Sequence, residues 1–234
     1  MSNFKAIILC GGKGERLKPF TITLPKPLMP VGEYPILEIV IKQLVKNKIT
    51  NITLAVNHQA KLIESFFGDG STWGAQIDYS LESKPLGTVG PLTIIDNLPE
   101  NFLVMNADLL TDLNFSCLFK DHLKKKNIKT VPGSQRKQYI DFGVLRKNKS
   151  NKLIKFLEKP TDDYLVSMGI YVLNRSILKY IPKNKKYGFD QLIYKLLKNK
   201  IKINIKIHKK YWLDIGRPDD YEKACNDIDK FKNK

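Results

Sequence analysis

FKAIILCGGKGERLKPFTITLPKPLMPVG, residues 4–32, decides how the rest of the chain is read. Its first part, Lys5 to Cys10, is a short, branched apolar run bounded by glycine, the pattern of a strand buried on both faces of a parallel sheet. The run stops at Gly11-Gly12. These two residues and Gly14 carry no Cβ, so the backbone there can take positive φ, lie close against a bulky anion and point its N–H groups at it. Arg16 and Lys26 add fixed charge to the same place. A glycine turn leaving the carboxyl end of a first strand is where open α/β sheets bind nucleotides, and the added cations point to a heavily phosphorylated ligand.

Two familiar phosphate loops fail against this stretch. The dinucleotide fingerprint needs a third glycine where Leu17 stands, and the P-loop needs Ser or Thr after Gly-Lys where Gly14 follows Lys13. What remains is G-G-x-G-x-R-L followed by Pro25-Lys26-Pro27. That signature resembles the sugar-phosphate nucleotidyltransferases, or nucleotide-sugar pyrophosphorylases, and in particular their single-domain mannose-1-phosphate guanylyltransferase-like members. The plain alternative is a glycine turn whose Arg and Lys are merely solvated.

A length of 234 residues, 42% of them hydrophobic, suits one α/β domain with a sizeable core. No stretch has the roughly 18 uninterrupted apolar residues of a membrane span, and the N-terminus enters a strand without a signal-peptide pattern, so a cytoplasmic location is expected. Cys10, Cys117 and Cys225 are odd in number and widely spaced, against a disulfide framework or a zinc cluster. His58, His122 and His208 show no metal-ligand spacing. The formal charge of +17 would suit nucleic acid, an anionic membrane or small polyanions. The lysines, however, are scattered through predicted helices and the C-terminal third, with no basic-plus-aromatic repeat. A solvated lysine surface is expected, with neither nucleic acid nor membrane as partner.

Repeated βα units follow the loop: a helix after Pro35, strands over Ile52 to Val56 and Gln76 to Leu81, a helix over Ala60 to Phe67, a strand over Phe102 to Met105 and a helix over Phe115 to Lys126. The sheet is therefore expected to be mainly parallel. Beyond Lys129 the rhythm shifts to short strands over Asp141 to Arg146, Lys152 to Glu158 and Ser167 to Leu173, which reads as an antiparallel insertion. Pro132-Gly133-Ser134 should break a strand. Helices are expected over Ser176 to Ile181 and Phe189 to Leu197, then an alternating strand in INIKIH and a last helix from Pro218. The fold class is α/β: a Rossmann-like, mainly parallel mixed sheet flanked by helices, with a small antiparallel sugar-binding insertion, which the resemblance identifies as GT-A-like. The expected organisation is one catalytic domain over residues 1–234, without the hexapeptide-repeat β-helix of many relatives.

The resemblance implies attack by a sugar 1-phosphate oxygen on the α-phosphorus of a nucleoside triphosphate, with release of pyrophosphate. Two polyanions must meet, so Lys, Arg and carboxylate-held Mg²⁺ are expected. It assigns Arg16 to the leaving phosphates, Lys26 to the α-phosphate, and Asp108 with Asp214 to Mg²⁺. Nucleotide contacts are expected from Leu9, Gly11, Gly12, Gly14, Asn106 and the ESKPLGT segment: Glu82, Pro85, Leu86, Gly87 and Thr88. Glu82 offers two acceptor oxygens, which matches the adjacent N1–H and N2–H donors of guanine better than a pyrimidine edge. Gly87 would let the backbone approach the base. On the sugar side the match is Gly143, Glu158-Lys159-Pro160, Ser167 and Gly169. Met168, Ala107 and Pro132-Gly133-Ser134 depart from the family pattern.

The expected activity is guanylyl transfer from GTP to mannose 1-phosphate or a related hexose or heptose 1-phosphate, giving an NDP-sugar for cell-surface polysaccharide. CTP, UTP or dTTP with another sugar, or an inactive regulatory relative, are the alternatives, and a homodimer stays open.

Overall fold

The computed structural model describes residues 4–12, 14–57 and 59–229; Lys13 and His58 lie outside them. In chain order the elements are β1 (Lys5–Leu9), β2 (Pro30–Val31), β3 (Tyr34–Pro35), α1 (Ile36–Lys46), β4 (Asn51–Val56), α2 (Ala60–Phe67), β5 (Gln76–Leu81), β6 (Asn101–Asn106), β7 (Leu109–Thr111) and α3 (Phe115–Lys124). Then come β8 (Lys129–Tyr139), β9 (Val144–Lys147), β10 (Leu153–Leu157), β11 (Thr161–Ser167), β12 (Ile170–Asn174), α4 (Phe189–Lys198), β13 (Asn204–His208), β14 (Trp212–Asp214) and α5 (Pro218–Asp227).

Among the described residues the main sheet has eight strands in the order β11-β8-β12-β6-β1-β4-β5, with β13 added on β8. β6, β1, β4 and β5 are mutually parallel, and β12 turns the sheet antiparallel against β6. The continuous apolar runs of β1, β4 and β6 are buried because helices cover both faces. Leu37, Val40, Ile41 and Leu44 of α1 pack on one face with Ile63 and Phe67 of α2 and with Phe115, Leu118 and Phe119 of α3. Phe189, Leu192 and Leu196 of α4 cover the other. A third cluster joins Leu17 and Met29 from the glycine loop to Leu110, Leu213, Ile215, Ala224 and Ile228. At about 1.5–3 kcal/mol for each fully buried aliphatic side chain, that cluster fixes the loop and the C-terminal segment against one another.

Pro132-Gly133-Ser134 does not break its strand: β8 runs through all three residues. Pro132 has no N–H to donate, but it sits where β8 changes partner from β12 to β11, and its carbonyl accepts the Met168 N–H at 3.1 Å. Gly133 leaves the space into which the Leu165 side chain folds. The expected single strand over Ser167 to Leu173 is two strands instead. They are separated by Met168 and Gly169, and Gly169 takes φ +70°. The strand expected from Asp141 begins at Val144. The β9–β10 ribbon is the antiparallel insertion, while β8, β11 and β12 extend the main sheet itself.

Lys129 at the start of β8 is fully buried, and its Nζ has no hydrogen-bond partner. It lies 4.7 Å from the ring centroids of both Tyr171 and Phe189. Burial lowers its pKa from 10.5 to about 7. The unfolded chain therefore holds the extra proton between about pH 7 and 10.5, and the stability lost to this residue is recovered as pH rises through that window. Lys129→Met is expected to stabilise the fold by roughly 2 kcal/mol at pH 7, after the two aromatic faces have offset part of the charge burial. Most of that gain should vanish by pH 10. Urea denaturation of both proteins across this range checks it, and a difference independent of pH would refute it.

Candidate active site

Leu9, Cys10, Gly11 and Gly12 at the end of β1 open onto a cavity of about 780 Å³, a volume suited to a nucleotide. Lys26, Glu82, Pro85, Gly87, Thr88, Asn106 and Asp108 also line it, together with Asn57, Lys84 and Lys186. The glycines do different jobs. Gly14 has φ +63°, and a Cβ there would lie 2.8 Å from Thr21, whose hydroxyl donates to the Gly14 carbonyl at 2.8 Å. Gly11 and Gly12 do not take positive φ. Among the described residues, and leaving out its chain neighbours, a Cβ on Gly12 would meet nothing within 4 Å, and Gly12 lines the cavity. Asn57 Nδ2 donates to the Gly11 carbonyl and pins the loop.

Asp108, in the cavity lining, follows β6, and Asp214, which is not in that lining, ends β14. Pairing of β14 with β7 sets Asp214 opposite Leu109, and the Ile215 N–H donates to the Asp108 carbonyl at 2.9 Å. Lys26 Nζ touches Asp108 Oδ2, whereas Asp108 Oδ1 is buried with no partner. Burial, then the neighbouring Asp108 charge, raises the pKa of Asp214, opposed by Lys26 and Arg16. Arg16 is thus beside Asp214, its guanidinium about 3.5 Å from where a Gly216 Cβ would stand. An orphaned carboxylate oxygen next to a second carboxylate under electrostatic stress could supply donors to a hard divalent cation. Among the described residues no third His, Cys, Asp or Glu joins them, which suits Mg²⁺ completed by phosphate and water.

The 82–90 segment forms the cavity's other wall. Leu86 N–H donates to Glu82 Oε2 at 2.9 Å, so one of the two oxygens expected to read a base also caps its own loop. Burial raises the Glu82 pKa, and that hydrogen bond opposes the rise. Leu86 itself is buried rather than facing the cavity. Gly87 has φ +80°, and a Cβ there would lie 2.6 Å from the Tyr187 carbonyl oxygen. Its glycine is therefore required by Tyr187, a reason the sequence did not show. Tyr187 N–H donates to the Leu86 carbonyl at 2.8 Å, the Tyr187 carbonyl accepts Val89 N–H at 3.1 Å, and Thr88 Oγ1 accepts Phe189 N–H at 3.0 Å.

None of the sugar-side residues lines this cavity, although Gly169 borders its wall through Asn106. Gly143 packs under the Phe156 ring with Glu158 beside it, and exposed Lys159 pairs with Asp141 at 3.0 Å. Ser167 Oγ donates to Tyr171 Oη at 3.2 Å rather than standing free. Gly169 is held against Asn106, whose N–H donates to the Gly169 carbonyl at 3.0 Å. Sequence reasoning missed Asn57 and Tyr187. An Asn directly after the buried run Ile52 to Val56 was a usable signal for the first; the second acts through its backbone and left none.

Comparison with known proteins agrees with this architecture. The nucleotidyl transferase family model matches residues 5–230. A UTP–glucose-1-phosphate uridylyltransferase from Synechocystis is 32% identical over 96% of this chain and 63% of its own length. A mannose-1-phosphate guanylyltransferase from Mycobacterium tuberculosis is 29% identical over 95% and 64%. The chain thus spans just under two thirds of the length of these curated relatives. The crystal structure of HddC from Yersinia pseudotuberculosis superposes with a TM-score of 0.75 at 25% identity, covering 96% of this chain and 99% of that one. No helix among the described residues is long and apolar enough to cross a membrane. With a glycine loop over a nucleotide-sized cavity and a match running almost from end to end, the chain belongs to the nucleotidyl transferase family.

Proposed function

We propose that residues 1–234 form one catalytic domain that transfers a nucleotidyl group from a nucleoside triphosphate, GTP by preference, to mannose 1-phosphate or a related hexose or heptose 1-phosphate. The product would be an NDP-sugar for cell-surface polysaccharide. The observation that carries this reading is the meeting of Lys26, Asp108 and Asp214, the first two in the lining of a cavity walled by the glycine loop and the 82–88 segment and the third beside them. In the reaction an oxygen of the sugar 1-phosphate bonds to the α-phosphorus as its bond to the bridging oxygen breaks, and the electron pair leaves with pyrophosphate. Asp108 and Asp214 would hold Mg²⁺, which supplies charge neutralisation at the phosphates. Lys26 exchanges its contact with Asp108 for the α-phosphate, whose charge rises in the transition state. Arg16, beside Asp214, takes the departing phosphates. The open backbone at Gly12 receives the phosphate chain, while Glu158, Lys159 and Gly169 serve the acceptor.

Guanine is favoured because Glu82 lines the cavity with Oε1 free of Leu86. A carboxylate oxygen also has two lone-pair directions, so Oε2 can accept a second donor. Uridylyl transfer is the second reading, supported by the Synechocystis relative and by the partial engagement of Glu82. A pyrophosphate-release assay with four triphosphates against a panel of sugar 1-phosphates separates them. GTP is expected to give the highest kcat/KM. In Glu82→Gln the amide oxygen can still cap Leu86, but an N–H₂ then meets guanine's donors, and the preference should shrink about tenfold. Unchanged selectivity in that variant would remove Glu82 as reader, and no release with any pair would favour an inactive regulatory relative.

A further inference from the structure

Asp108 issues from β6 of the main sheet, but Asp214 sits on a three-residue strand outside it. Something must fix that strand, because two carboxylates sharing an octahedral ion tolerate little play. Among the described residues β14 pairs only with β7, and the turn before it is held by several hydrogen bonds. The Tyr211 carbonyl accepts three donors: Thr111 Oγ1 at 3.0 Å, Asp112 N–H at 3.2 Å and His208 Nε2 at 3.2 Å. His208 Nε2 also lies 2.9 Å from Asp112 Oδ1. Both of these partners are acceptors, so Nε2 carries the hydrogen and shares it between them. His208 is the last residue of β13, in register with Ser134 of β8, and is thereby part of the main sheet. Thr111 ends β7, the strand that begins next to Asp108, and Asp112 follows it. One carbonyl therefore ties the main sheet, the Asp108 strand and the Asp214 strand together.

We infer that His208, with Asp112, is a positioning residue that sets the separation of Asp108 and Asp214 through the Tyr211 carbonyl. The inference rests on the reading of these carboxylates as a metal pair. Trp212 completes the constraint, its indole N–H donating to the Met168 carbonyl at 3.0 Å, so β14 is held before, within and after its length. His208 touches no substrate, and its effect is read as metal affinity. His208→Leu keeps the bulk but removes the donor. His208→Gln keeps an N–H₂ that can reach both Asp112 and the Tyr211 carbonyl.

The test is Mn²⁺ binding to the protein with GTP and no acceptor, followed by electron paramagnetic resonance of free Mn²⁺, alongside melting temperature. His208→Leu is expected to raise the Mn²⁺ Kd about tenfold, in line with the loss of outer supports at other metal sites. Thr111→Val, which removes one donor to the Tyr211 carbonyl and the acceptor of the Leu113 N–H, should raise it about threefold and serves if His208→Leu fails to fold. His208→Gln should stay within about twofold of wild type. His122→Leu, at a buried histidine bonded to Thr130 and Asn101, controls for lost stability and should leave the Kd unchanged. An unchanged Kd in both His208→Leu and Thr111→Val, or an equal rise in His122→Leu, would overturn the positioning role alone. Absence of Mn²⁺ binding by the wild type, with UTP as well as GTP, would overturn the metal pair and the inference with it.

Discussion

Asp108→Asn is expected to lower kcat at least about a hundredfold while leaving the melting temperature nearly unchanged. The side chain's Oδ1 is buried and accepts no hydrogen bond, and its Oδ2 meets Lys26. Neither contact belongs to the fold's cores, so the amide costs little stability. It removes a full negative charge from a place where a cation must balance two polyanions. It also sets an N–H₂ against either the ion or the Lys26 ammonium. Loss of one charged ligand in such a desolvated site costs several kcal/mol of transition-state stabilisation, and about 2.7 kcal/mol already gives a hundredfold. Asp214→Asn should be damaging in the same direction. Steady-state kinetics over a Mg²⁺ titration decide the matter: near-normal kcat with unaltered Mg²⁺ dependence would remove Asp108 from the metal.

The parts of the fold that the sequence revealed are those in which one local pattern suffices. Ala60 to Phe67 falls where periodicity put it because Ala60, Ile63 and Phe67 are buried at helical spacing, and Gln76 to Leu81 falls where the preceding FGDGSTWG turn delivers it. Asp108 and Asp214 are paired by the family resemblance rather than by any local pattern, and the folded chain brings the two carboxylates within electrostatic reach of each other. Pro132 misled because its cost depends on whether a neighbouring strand needs its N–H, and the exchange of β12 for β11 is invisible locally. The continuous strand expected from Ser167 failed because the Gly169 turn serves a contact with Asn106, far away in sequence. Glu82's bond to Leu86 and the backbone of Tyr187 were hidden for a related reason. Side-chain identity says what a group can donate or accept, and only the folded chain decides which partner claims it first.

Gly87→Ala and Gly12→Ala should separate the two uses of glycine in this cavity. At Gly87 an L-residue must hold φ +80°, which by itself costs about 1–2 kcal/mol. Its Cβ would also lie 2.6 Å from the Tyr187 oxygen and 3.0 Å from Tyr187 C and N. These are backbone atoms that cannot swing aside, so the two loops must part. Parting strains the bonds of Tyr187 with Leu86 and Val89, each worth about 1 kcal/mol. A total near 3 kcal/mol would displace the wall that carries Glu82 and Thr88. We expect kcat/KM for the triphosphate to fall about a hundredfold, with a lower melting temperature. At Gly12 the added methyl meets nothing within 4 Å among the described residues beyond its chain neighbours, so the fold should be untouched. If the phosphate chain occupies that space, KM for the triphosphate rises about tenfold at constant melting temperature, the loss expected from crowding one or two charged hydrogen bonds. Parallel melting and kinetic measurements on the two variants give the answer. An unaffected KM in Gly12→Ala would move the phosphates off the glycine loop. Full activity in Gly87→Ala would show that the 82–90 wall does not position the nucleotide.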